Sequence, residues 1–283
     1  MNSIFHFFKE IYLKRNDFTL SNPLENFPFP QNLLSCINRG TFPDMAIKLN
    51  KNQKMFSGGE LIELKDSSSY TVSSFNSTIP GGSKEISRII GSGNSNIRRQ
   101  MEEVGDNILS LPIREVYYLV RGRKAGSIKV VLVHGSFFET VKTSDLISNS
   151  FSQVLKERIE QSGLEIPSDL QKLLSEVFSE QENFSRVREV EKASVKLRFR
   201  IMTEVKAEGN ILNSQQYPSI LDNTLNFILP KHDQSDQTLT ESKMKEVFSG
   251  KELKTFKAFD IKHHFNGYFR VYQTAINSSA KNE

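Results

Sequence analysis

Two apolar runs, EVYYLVR (115–121) and IKVVLVH (128–134), flank the turn-forming segment GRKAGS. Both are rich in β-branched and aromatic side chains, which suit a pleated, packed surface, and the short Gly-containing connection joins them as a strand pair. Residues 130–133 are apolar without alternation, the pattern of a strand covered on both faces. Covering both faces of a sheet takes helices or a second layer, so this feature excludes an all-helical chain and points to an α/β or α+β fold.

The rest of the chain fits a mixed central sheet flanked by helices. An amphipathic helix is expected over 3–15, followed by a stretch punctuated by Pro23, Pro28 and Pro30 that should be extended or turn-like, and a short helix over 31–38 ending at Gly40. MAIKLN (45–50) and ELIELK (60–65) read as two strands of a hairpin around a polar turn. Residues 66–97 are rich in Ser, Thr and Gly but keep Tyr70, Val72, Phe75 and Ile79 as apolar anchors, so they read as a docked functional loop carrying a helix, SKEISRII. Helices are expected at 144–161 and 168–181, and an alternating strand at 195–205. A strand at 224–229, a polar linker at 230–240, a helix near 241–249 and a strand at 267–273 follow. No internal repeat or heptad is visible.

Composition narrows the function classes. No apolar run among the 283 residues approaches the roughly 20 needed for a spanning helix, and no membrane partner is expected. The start, MNSIFHFFKEIYLK, has neither a leading basic region nor a small-residue cleavage site. The single cysteine, Cys36, forbids an intramolecular disulfide and any Cys-based zinc cluster, which places the expectation in a reducing, cytoplasmic setting. A net charge of +4 permits nucleic acid without naming it. Its distribution says more: Lys84, Arg88, Arg98 and Arg99 face only Glu85 over 84–99, and basic residues outnumber acidic ones seven to three over both 186–206 and 243–270.

The chemistry-bearing pattern is Pro43-Asp44, then eighteen residues, then Glu63-Leu64-Lys65. On a strand Glu63 and Lys65 share one face while Ile62 and Leu64 share the other, and Asp44 opens the preceding strand of the same hairpin. Two converging carboxylates suit a hard divalent cation such as Mg²⁺, which keeps waters; a lysine beside them can hold the attacking water. The Glu-x-Lys half is common here: Glu204–Lys206, Glu241–Lys243 and Glu252–Lys254 also fit, and Asp260–Lys262 is a variant. Pro-Asp occurs once, and only Glu63–Lys65 follows it at hairpin distance within an apolar strand. Glu204–Lys206, at the end of a strand, is the main rival.

The arrangement resembles the PD-(D/E)xK nuclease superfamily, whose best-known members are type II restriction endonucleases. The resemblance rests on Pro43, Asp44, Glu63 and Lys65 and covers about 25 residues directly, so its motif is short. It implies a restriction-endonuclease-like core over 1–165 with C-terminal elaboration over 166–283 for recognition and dimerisation within the same compact unit. It also implies Asp44 and Glu63 as Mg²⁺ ligands, Lys65 as the residue orienting water, double-stranded DNA as substrate and a homodimer as the working form. An additional acidic residue from the N-terminal region is implied as well, for which Glu10 and Glu25 qualify. A repair or recombination nuclease of the same superfamily and a non-catalytic DNA-binding protein remain open beside the restriction-type reading.

Other residues weigh less. Pro80–Lys84 lacks the spacing of a nucleotide phosphate loop, but Ser83 and Lys84 can meet DNA phosphates, as can Arg98 and Arg99. Lys196, Arg198 and Arg200 line one face of the 195–205 strand, suited to phosphates or guanine edges. His134 reads as a hydrogen-bonded core histidine. His263 and His264 point to opposite faces of a strand and make no metal pair, and Cys36 reads as a small buried hydrophobe.

Overall fold

The computed structural model describes residues 3–19, 23–38, 41–52, 55–72, 74–76, 80–91, 95–139, 143–163, 167–170, 172–173 and 202–277. Helix α1 (Ser3–Leu13) precedes strands β1 (Leu34–Ile37), β2 (Met45–Ile47), β3 (Asn50–Asn52), β4 (Met55–Ser57) and β5 (Leu61–Ser67). Strands β6 (Ser74–Asn76) and β7 (Ser83–Glu85), helices α2 (Ile86–Ile90) and α3 (Asn96–Glu103), and strands β8 (Ile113–Lys124) and β9 (Ser127–His134) come next. Helix α4 (Thr143–Ser162), strands β10 (Met202–Glu204) and β11 (Thr224–Lys231), helices α5 (Gln234–Val247) and α6 (Gly250–Leu253), and strands β12 (Lys257–His263) and β13 (Gly267–Ala275) complete the order.

The chain divides into two units. The first, 1–73 with 81–138 and 205–283, holds a mixed sheet in the order β1-β2-β5-β8-β9-β11-β13-β12, with β7 pairing the start of β8. Pairing is parallel for β5 with β8 and for β9 with β11, and antiparallel elsewhere. The apolar hairpin 115–134 is its centre: β8 is buried from Val116 to Gly122 and β9 from Ile128 to Val133. The second unit, 74–80 with 139–204, contains α4 and the antiparallel pair β6–β10.

Both faces of the large sheet are covered. On one, α1 lays Phe5 and Phe8 on Phe227 of β11, with ring centroids 5.2 and 4.5 Å apart, and Met244 and Val247 of α5 join the same core. On the other, Phe137 and Phe138 of the turn after β9 meet Phe269 at 5.1 Å and Tyr118 at 5.0 Å. Each such aromatic side chain buries a large apolar area, at ~25 cal/mol per Å² of surface removed from water. Among the described residues no helix is long and apolar enough to cross a membrane.

Several expected elements change when tertiary pairing is available. Residues 31–38 form a short 3-10 turn (Gln31–Leu33) and then β1, because Leu34–Ile37 finds a ladder on β2. The segment SKEISRII begins as β7, paired with Ile113–Glu115, and only then turns helical. The expected linker at 230–240 belongs to β11 and α5: Asp233 caps α5 by accepting from the Ser235 and Asp236 amides, and its polar residues are a solvated helix face. Strand β12 was hidden by its charged, exposed residues. Strands β11, β12 and β13, from the expected C-terminal elaboration, extend the sheet that contains β5. Most of the expected 168–181 helix and 195–205 strand lies outside the described residues.

A buried ion pair ties β8 to the segments carrying Asp106 and Leu49. Arg114 Nη2 donates to Asp106 Oδ1 at 3.0 Å with both side chains fully buried, and Asp106 Oδ2 accepts from the Leu49 amide at 3.2 Å. Removing one member of such a pair strands the other charge, which costs ~3–5 kcal/mol. Asp106→Ala is therefore expected to lower unfolding free energy by about that amount in urea titrations. A loss below about 1 kcal/mol would show that Arg114 finds other compensation.

Candidate active site

Strand β5 brings the motif together through its two neighbours. In the antiparallel ladder with β2, Met45 stands opposite Ile62 and Ala46 opposite Leu61. Continuing that register by one residue sets Asp44 beside Glu63. The Asp44 carboxylate is fastened there, its Oδ2 accepting from the Leu64 amide at 2.7 Å. The Phe42–Pro43 peptide before it is cis. On the other flank β8 runs parallel, with Tyr118 opposite Glu63 and Val120 opposite Lys65.

Alternation distributes the side chains as expected. Ile62 joins the core under α1 and Leu64 packs against it, while Glu63 and Lys65 share the opposite face. Lys65 Nζ donates to Glu63 Oε1 at 3.0 Å, with the two side chains 24% and 13% exposed. Among the described residues, Glu63 Oε2 is buried without a hydrogen-bond partner. Burial and the neighbouring Glu63 charge push the Asp44 carboxyl up to about 7, against the Leu64 amide and Lys65, which pull it down. Two carboxylates are thus crowded together with one lysine to balance them.

Glu25 approaches Asp44 from the Leu64 side of β5, opposite Glu63 and Lys65. It lies on a 3-10 turn (Leu24–Asn26), lines a cleft with Asp44, Asn38, Phe29 and Leu64, and its charge adds to the upward shift of Asp44. Glu10 lies on α1, where its charge is felt at His6. Among the described residues no group of three or more His, Cys, Asp or Glu side chains is gathered closely enough to hold a metal. The donor set is a carboxylate pair, and Mg²⁺ commonly uses one or two carboxylates and completes its shell with water. A divalent cation would satisfy the orphaned Glu63 oxygen and offset the repulsion felt by Asp44, so the residues present fit such an ion.

The remaining candidates separate. Ser83 is exposed and Lys84 half-buried on β7, opposite Glu115 and Arg114. Arg98 and Arg99 lie on α3, paired at i,i+4 with Glu102 at 2.7 Å and Glu103 at 3.8 Å. Helix α3 packs along β1, where Gln100 accepts from the Ile37 amide, so these arginines ride on the element flanking the Asp44 end of the site. Lys196, Arg198 and Arg200 lie outside the described residues. Glu204 ends β10 in the second unit, and both it and Lys206 are exposed.

His134 is half-buried, hydrogen-bonded to Ser136 at 2.8 Å and packed on Tyr117. His263 is buried with burial lowering its pKa, while His264 is exposed. Burial raises the Cys36 thiol to about 11, which makes it an inert core side chain. The sequence missed Asp66 and Arg121, whose pairing shows up only when β5 and β8 are set side by side. No family model, curated protein or solved structure matches the chain.

The Asp44 shift carries a testable sign. In the unfolded chain this carboxyl ionises near pH 4, whereas the folded site keeps its proton up to about 7. Between those values the folded state binds more protons, so without metal stability falls as pH rises through the window and levels off above it. Asp44→Asn, which keeps an acceptor for the Leu64 amide, is expected to melt ~2–4 °C higher than wild type at pH 8 in chelator and to flatten this slope, a gain of about 1 kcal/mol. Identical melting curves from pH 5 to 8 would remove the crowded-carboxylate description.

Proposed function

We propose that this chain is a divalent-metal-dependent endonuclease that hydrolyses phosphodiester bonds of double-stranded DNA. Asp44 and Glu63 hold Mg²⁺ and Lys65 orients the attacking water. The observation that supports this most directly is the convergence of Asp44, Glu63 and Lys65 across one strand pair, with a buried Glu63 oxygen left for a cation.

A divalent cation bound there supplies charge neutralisation at a phosphoryl oxygen and acidifies its bound water. The chain's own residues do the rest. The Leu64 amide holds Asp44 in place, so this ligand needs no reorganisation. Lys65, fixed on Glu63, presents its ammonium on the same side as both carboxylates, where it donates to a water or to a phosphate oxygen. Removing a positioned group of this kind typically costs ~10²–10⁴ in rate.

Arg98 and Arg99 supply the phosphate-binding edge. Their exposed i,i+4 pairs with Glu102 and Glu103 contribute only ~0.3–0.5 kcal/mol each, so exchanging a carboxylate for a DNA phosphate costs little. A restriction-type enzyme working as a homodimer on a two-fold-symmetric site is the particular form proposed, since cutting both strands of such a site matches two-fold symmetry.

Incubating the protein with supercoiled plasmid and Mg²⁺ or Mn²⁺ tests this reading. Discrete, reproducible fragments are expected, with cleavage reduced at least ~100-fold in Lys65→Ala. Wild-type rates from Lys65→Ala would overturn the site. Binding without cutting under either metal would leave a DNA-binding protein. Cleavage confined to mismatched or branched DNA would assign the repair alternative.

A further inference from the structure

Where β12 passes into β13, a buried histidine ring closes the turn. His263 Nδ1 accepts from two successive main-chain amides, Phe265 at 3.2 Å and Asn266 at 3.1 Å. The residue is only 1% exposed, and its ring lies against Phe137 at 4.7 Å and Phe269 at 6.4 Å. A ring nitrogen that accepts hydrogen bonds carries no proton, so these two bonds require a neutral ring protonated on Nε2. Among the described residues, Nε2 is itself buried without a hydrogen-bond partner.

The turn holds more than itself. Asn266, whose amide His263 binds, donates from Nδ2 to the Ser136 and Phe137 carbonyls, both at 3.0 Å. The Gly135–Phe137 turn after β9 is thereby tied to the hairpin. From Phe137, ring contacts continue to Phe138 at 5.4 Å and from there to Tyr118 at 5.0 Å. A histidine acceptor differs from a carbonyl oxygen at such a junction, because it takes up a proton near neutral pH. A proton on Nδ1 would turn the acceptor into a donor facing two donors, and would place a charge against Phe137 and Phe269.

The surrounding groups do not offset that cost. Burial holds the His263 pKa below its ordinary value, the neighbouring His264 adds to this, and Glu208 of the Ala207–Gly209 turn works against it. Tyr217 donates its hydroxyl to the Glu208 carbonyl. His134, which opens the turn after β9, is hydrogen-bonded to Ser136.

We propose that His263 is a proton-operated latch: as the neutral ring it holds the β12–β13 turn and, through Asn266, the turn after β9, and on taking a proton at Nδ1 it releases both. The device needs neither metal nor DNA, so it stands apart from the nuclease reading. An opened turn leaves the imidazole with its ordinary pKa near 6.5, above that of the closed form. The open form therefore binds the extra proton first, and closure is full above about pH 6.5 and weakens as pH falls below it.

Amide hydrogen exchange on the full chain, corrected for the intrinsic effect of pH and read at Phe265 and Asn266, tests this. Protection is expected to be level above about pH 7 and to fall ~10-fold for each pH unit below about 6.5, the slope of one proton. His263→Asn, whose Oδ1 accepts from the same two amides without titrating, is expected to keep the turn and abolish the slope. His264→Asn is expected to keep the slope. Wild-type protection that does not change between about pH 7.5 and pH 5 would overturn the proposal, as would an undiminished slope in His263→Asn.

If His263→Asn does not fold by circular dichroism, the ring nitrogen shifts of His263 in the wild type decide. A ring protonated on Nε2 at neutral pH, whose further protonation tracks the loss of protection, sustains the latch. A ring protonated on Nδ1 at neutral pH, or one that takes up its second proton while Phe265 and Asn266 stay protected, overturns it.

Discussion

The register of β5 between its two neighbours governs the rest of the site. Antiparallel pairing with β2 places Met45 on Ile62, and the next step sets Asp44 beside Glu63 with its carboxylate on the Leu64 amide. Parallel pairing with β8 puts Arg121 against Asp66. A one-residue slip in either ladder would send Glu63 and Lys65 into the face that now holds Ile62, where no charge is matched. The buried centre of the sheet resists such a slip, because Val116–Gly122 and Ile128–Val133 are buried and hold Arg121 and Lys129 against fixed partners.

Charge is handled differently on the two sides of that strand. Asp66 is matched by Arg121 and approached by Arg123, so its cost of burial is offset inside the fold. Among the described residues, Asp44 and Glu63 have Lys65 beside them, and the mismatch shows as a raised Asp44 pKa and a buried Glu63 oxygen without a partner. A fold selected only for stability would place an apolar side chain or a second cation here. The cation proposed above would relieve this mismatch.

Much of the site was legible because strand alternation is a local property. The two-residue period put Glu63 and Lys65 together, and the single Pro-Asp favoured this Glu-x-Lys over the one at Glu204–Lys206, whose glutamate lies in the second unit. Cys36 also proved to be a buried core residue, and His134 is half-buried and hydrogen-bonded, as read. Where reading failed, a long-range partner outweighed local preference. Leu34–Ile37 and Ser83–Glu85 were read as helical and became strands on finding β2 and β8, and Lys257–His263 was missed because an edge strand need not be apolar.

What the chain's order of residues determined alone is the covered central hairpin, hence a mixed sheet with helices, and the pairing of a glutamate and a lysine on one face of a strand. These follow from periodicity and steric preference, which act over a few residues. Only the tertiary structure decided that Glu25 rather than Glu10 approaches Asp44, that Asp66 is tied to Arg121, and that residues 205–277 complete the sheet begun by β1. Each of these depends on pairing between segments tens of residues apart, and a parallel or inserted strand leaves no local mark of the partner it will take.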